Sequence, residues 1–203
     1  PYVTMLPRFP ETKHTIFRDF PDVLSPEYRE DAAGCAQALL PYRDDPWMIG
    51  YFLRNEPGWA FVDNLIIADE VLRDEADTCC KQELIRWLEA RYGSVDALNA
   101  AWKTDFTAFD ALHRPMEKPS VCSEQAEADL RAFSETLIRA YISIPSQACR
   151  AVDSNHMILG MRWAWISDPA LAAGWECFDV FSINCYAVDP TSAIEHVREL
   201  GVD

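Results

Sequence analysis

Apolar positions follow two rhythms, short continuous runs and stripes spaced by three and four, and their alternation predicts strand then helix, repeated, as in a parallel α/β architecture. Tyr2-Val3-Thr4-Met5-Leu6 reads as a strand. Ser25-Pro26-Glu27 supplies an N-cap, a first-turn proline and an early acid, and the helix it starts carries Tyr28, Ala32, Cys35, Ala36 and Leu39 on one face before Pro41. After the turn Asp44-Asp45-Pro46, the run Trp47 to Leu53 is apolar nearly throughout, as a strand covered on both faces must be.

The stretch from about 60 to 122 reads as a helical insertion. One helix there places Cys80, Leu84, Trp87, Leu88 and Tyr92 on a face and stops at Gly93; Ser94 caps the next, with Val95, Leu98 and Trp102 as its stripe. From about Ser123 a long helix buries Leu130, Phe133, Leu137, Ala140, Tyr141, Ile144 and Ala148, with a kink expected at Pro145. Met157 to Met161 and Phe178 to Tyr186 read as two further strands, with a short helix near Asp168 to Ala173 between them. Thr191 to Leu200 reads as a helix packing through Ile194, Val197 and Leu200.

Composition narrows the partners. Of 203 residues 49% are hydrophobic, enough for a core, and 33 acidic against 18 basic residues leave a net charge of −15. Without a basic stripe to collect phosphates, neither nucleic acid nor an anionic membrane surface is expected as partner. No apolar run is long enough to span a bilayer and no leader opens the chain, which starts at Pro1 without Met; the compartment stays open. The seven cysteines are odd in number, and the adjacent Cys79-Cys80 pair lacks a second pair or a nearby histidine, so neither a disulfide framework nor a metal is expected, and no cofactor. His14, His113, His156 and His196 have no paired nucleophile and read as structural.

Chemistry is expected where the buried strand ends. Arg54, Asn55 and Glu56 stand at the C-terminal end of Trp47–Leu53, the end at which barrel and open-sheet enzymes carry their polar groups; Glu56 before Pro57 also fits a solvated loop carboxylate. Arg162 and Trp163 follow the next strand and would face the same cleft, although Trp163 and Trp165 fit equally well as cover for apolar surface. Asn184 and Tyr186 end the strand after that and could contact a ligand or simply cap loose backbone groups. Trp59 could stack on a sugar ring or anchor the insertion, and Arg8 could contact substrate or form a surface ion pair.

Two stretches carry a resemblance. Gly50-Tyr51-Phe52-Leu53-Arg54-Asn55-Glu56-Pro57 resembles the fourth-strand motif of the clan of barrel glycosidases in which Asn-Glu ends the strand. The run from Trp87 to Trp102 resembles a segment of family 42 β-galactosidases and agarase-like enzymes. The resemblance implies a (β/α)8 TIM barrel of which residues 1–203 hold about strands three to six, completed by the rest of the barrel or by a second copy. It further implies a retaining β-glycosidase acting on a carbohydrate, galactosides or galactans by analogy, with Glu56 as acid/base and Asn55 on the sugar 2-hydroxyl. Such an enzyme needs two carboxyl groups about 5 to 5.5 Å apart, and the nucleophile is expected beyond residue 203. An apolar setting would hold the Glu56 carboxyl protonated. The alternative is a carbohydrate-binding relative without turnover. Arg54 departs from the motif, and the cysteine cluster that binds zinc in some family 42 enzymes is not matched. An isolated half-barrel would leave open edges and is expected to lack activity.

Overall fold

The computed structural model describes residues 1–202. Its centre is a parallel sheet in the order β1 (Tyr2–Met5), β4 (Met48–Phe52), β5 (Met157–Ile158), and β2 (Thr15–Phe17) pairs with β3 (Phe20–Pro21) in a separate antiparallel hairpin. In β4, Tyr51 and the following Leu53 are fully buried towards the helices. The register Val3↔Gly50↔Met157 and Met5↔Phe52 puts Val3, Met5 and Met157 on the opposite face, where all three are exposed.

Helix α1 (Pro26–Ala36) starts as its residues dictate, with Pro26 in its first turn and the Ser25 Oγ accepting from the Tyr28 amide at 3.1 Å. Helix α2 (Ile67–Arg73) had no clear signature in the sequence pattern. Thr78 caps α3 (Cys79–Tyr92), which stops at left-handed Gly93, and Ser94 caps α4 (Val95–Trp102). The 29-residue α5 (Glu124–Val152) continues through Pro145 as one helix. Proline offers no N–H to the carbonyl four residues back; that carbonyl, on Tyr141, instead accepts the Tyr28 hydroxyl of α1 at 2.8 Å. The fully buried Asp129 accepts from Trp102 Nε1 at 2.9 Å and Arg91 Nε at 3.0 Å, which ties α5 to the helices between 60 and 122.

Four expectations are corrected. The strand read at Met157–Met161 ends at Ile158, because Gly160 takes φ 85° and Arg162 φ 49°, values that break a ladder. Phe178 to Tyr186 is an extended segment with a single parallel bridge, Trp163↔Ile183, and not a full strand. The segment still runs along the β5 side, with Asp179 N donating to Ile158 O at 2.9 Å and Ser182 O accepting from Trp163 N at 3.0 Å. The turn near Asp168 is a 3-10 turn over Pro169–Ala172. Finally, the stripe of α6 (Thr191–Glu199) is not buried: Ile194 and Val197 line an open cavity of about 320 Å³ with Val180 and Ile183.

Candidate active site

The sheet delivers its polar residues to one end. Asn55 and Glu56 leave the C-terminal end of β4, Arg162 follows β5, and Asn184 lies on the extended segment beside it. Asn184 Nδ2 donates to Glu56 Oε1 at 2.5 Å and lies 3.3 Å from Asn55 Oδ1. On its other side, Asn184 Oδ1 accepts from Arg162 Nε at 3.2 Å. Since the guanidinium can only donate, it fixes the oxygen of the Asn184 amide towards itself and turns the NH₂ towards Glu56. The four side chains thus form one connected cluster, joined across 128 residues of chain.

Glu56 is half-buried and its backbone takes φ 48°, a left-handed conformation uncommon for a residue with a Cβ. Its amide donates to Met161 O at 3.3 Å, which extends the β4–β5 pairing past the strands. The neighbour that meets its carboxyl is the Asn184 side-chain N–H, a polar contact. Arg162 is held by its own amide on Ser182 Oγ at 3.0 Å and by its guanidinium over the Phe52 ring at 5.4 Å.

The remaining candidates fall elsewhere. Trp59 is fully buried, edge-on to Phe20 and Tyr141 at 5.3 Å and to Trp163 at 5.8 Å. So enclosed, it sits in the core where the anchoring reading would place it. Trp163, 1% exposed, is likewise buried, and it lines a small cavity of about 80 Å³ together with Asn184 and Ile183. Tyr186 is 88% exposed and outside the cluster. Arg8 forms a two-pronged ion pair with Asp31 at 2.5 and 2.8 Å, its surface reading, and also lines a cleft of about 370 Å³ with Arg54 and Asn55. Trp165, which fitted as apolar cover, is half exposed with Nε1 on Asp63 at 3.1 Å.

Two contributors had no signal in the sequence pattern. Ser182 orients Arg162, and Asp19, at the tip of the β2–β3 hairpin, pairs with Arg54 and accepts from Gly58 N at 2.9 Å. Of the histidines, His14 faces Asp74, His113 faces Asp77 and His156 faces Asp153. Cys79 and Cys80 give their amides to Asp22 at 2.8 and 2.9 Å. Among the described residues no group of three or more His, Cys, Asp or Glu side chains is placed to hold a metal ion, and no helix is long and apolar enough to cross a membrane.

Comparison with known proteins places this cluster in context. The sequence model of glycoside hydrolase family 42, described as "Beta-galactosidase", matches residues 10–199. Beta-agarase B of Vibrio sp. (strain JT0107) is 26% identical over 180 residues, covering 84% of this chain and 19% of that protein. A β-galactosidase of Arthrobacter sp. is 30% identical over 120 residues, 56% of this chain and 16% of that protein. A solved exo-β-agarase shares the fold with a TM-score of 0.81 at 21% identity, covering 98% of this chain and 29% of its own. The chain therefore spans less than a third of the length of these relatives.

Proposed function

The chain belongs to the β-galactosidase family of glycoside hydrolases, family 42, and from that premise we propose that it forms the acid/base half of a retaining β-glycosidase site. The observation that carries the reading is the contact between Glu56 Oε1 and Asn184 Nδ2 at 2.5 Å, inside a cluster assembled at the C-terminal end of a parallel sheet. Asn184 occupies one carboxyl oxygen and leaves Oε2 to carry the proton. Protonated, Glu56 donates to the leaving glycosidic oxygen; ionised, it takes a proton from the water that releases the sugar.

In this reading β1, β4, β5 and the segment near 178–184 are strands three to six of a (β/α)8 barrel, and residues about 60 to 122 are an insertion after the fourth. Asn55, exposed beside Glu56, contacts the sugar 2-hydroxyl, and Arg162 acts by orienting Asn184. Arg8 reaches substrate across the cleft it shares with Asn55. The exposed apolar face of Val3, Met5 and Met157 becomes the barrel interior, closed by strands outside residues 1–203, one of which supplies the nucleophilic carboxylate. The substrate is a β-galactoside or a galactan-type polysaccharide, as the names of the relatives suggest.

The test is hydrolysis of aryl β-glycosides and galactan oligosaccharides by the full-length protein and its Glu56→Gln variant. A proton donor is needed most where the leaving group is poor, so activity should fall by about 10²–10⁴-fold on poor leaving groups and far less on good ones, with azide restoring turnover of the latter. A loss equal for all leaving groups would exclude Glu56 as the proton donor. A wild type that binds the oligosaccharides and cleaves nothing would make this a binding protein.

A further inference from the structure

We propose that Asp19 is a positioning residue for the acid/base loop, its carboxylate clamping both ends of the five-residue stretch whose middle is Glu56; the inference rests on the role assigned to Glu56 above. One oxygen, Asp19 Oδ2, takes both the Arg54 guanidinium and the Gly58 amide, the latter at 2.9 Å. Arg54 and Gly58 bracket Asn55-Glu56-Pro57. The neighbouring Arg18 holds the other side of the same residue, its Nη1 donating to Gly58 O at 3.0 Å.

Gly58 is shaped for this contact. A Cβ there would lie 3.0 Å from Asp19 Oδ1 and 3.2 Å from its Cγ, so a side chain would fit only if the carboxylate gave way by a few tenths of an ångström. Arg54 is fixed in turn by Tyr141 Oη at 3.0 Å and by the Phe9 ring, 5.3 Å beneath its guanidinium. Left-handed backbone at a non-glycine residue persists only where its surroundings over-determine it. Here the surroundings are a hydrogen-bonded grip on each flank of Glu56, φ 48°.

Asp19 is not needed to attach the hairpin. Phe20, fully buried, already packs on Trp59 and Tyr141 at 5.3 Å, and Asp22 already caps α3 through two amides. What the Asp19 carboxylate adds is restraint on the loop that carries the acid, and a displacement of about 1 Å in a reacting group costs up to about a hundredfold in rate.

The experiment is Asp19→Asn in the full-length protein, which keeps the shape and removes the charge that holds Arg54, assayed beside Glu56→Gln on aryl β-glycosides with poor and good leaving groups. We expect kcat/KM to fall about ten- to a hundredfold on the poor leaving groups and within about threefold on the good ones. That ratio does not depend on how much of the variant is folded. An equal loss on both classes, or no loss, overturns the clamp while Glu56→Gln still shows its own leaving-group dependence; if Glu56→Gln shows none, the acid/base assignment falls and the clamp with it. A crystal structure of Asp19→Asn gives a reading independent of substrate: a Glu56 shifted away from Asn184 supports the clamp, and one unmoved, with φ still near 48°, overturns it.

Discussion

The clearest quantitative consequence of this fold lies at Pro145. A buried backbone carbonyl without a partner costs about 1–3 kcal/mol, and Pro145 would leave the Tyr141 carbonyl in that state were it not for the Tyr28 hydroxyl at 2.8 Å. Tyr28 and Tyr141 are both fully buried, so water cannot substitute. Tyr28→Phe should therefore destabilise the full-length protein by about 1–3 kcal/mol. In a Pro145→Ala background the backbone N–H restored by the substitution can donate to the same carbonyl, and the same Tyr28→Phe change should cost only about 0.5–1 kcal/mol. The assay is a double-mutant cycle of urea midpoints over wild type, both single variants and the double variant. Coupling of about 1–2 kcal/mol is expected. Equal costs of Tyr28→Phe in the two backgrounds would show that the hydroxyl does not compensate for the proline, and the continuity of α5 through Pro145 would need another cause.

Three further outcomes follow from the site and its supports. Asn184→Ala removes the donor to Glu56 and the acceptor for Arg162; hydrogen bonds to charged groups contribute about 1.5–3 kcal/mol, so kcat/KM of the full-length protein should drop about ten- to a hundredfold, and an unchanged value would dissolve the cluster as a functional unit. Burial lowers the His156 pKa, but the hydrogen bonds to Asp153 and the Asp45 carbonyl outweigh it and leave the net shift upward from 6.5. Such a group stabilises the fold fully below 6.5 and loses that contribution as pH rises through its elevated folded value; the difference in melting temperature between wild type and His156→Gln should therefore shrink from about pH 6 towards about pH 8, and a growing difference would reverse the sign. Residues 1–203 expressed alone should hydrolyse no aryl β-glycoside, and turnover that copurifies with the pure chain and disappears with Glu56→Gln would contradict the two-carboxylate reading.

Much of the framework is written locally. The Ser25 and Ser94 caps, the Gly93 stop and the stripes of α1, α3 and α5 are visible within a few turns of chain because capping and amphipathic spacing involve only near neighbours. So is the position of Asn55-Glu56 at the end of an apolar run, since such a run reads as a strand up to the first polar residue. The full ladder expected at Met157–Met161 did not form, because Gly160 and Arg162 take positive φ, which β-like composition does not reveal; Phe178–Tyr186 keeps a single bridge.

The order of elements, most of their starts and stops, and the residue at which chemistry is expected were thus legible before any folding. Which candidates meet was settled by packing alone: Asn184 reaches Glu56, Tyr186 turns to solvent, Trp59 is enclosed by three aromatic rings, and Asp19 arrives from a hairpin without any motif. The physical reason is range. Capping and periodicity act over about one helical turn or one strand, whereas a side chain's exposure and partners are set by whatever packs across from it, here up to 128 residues away.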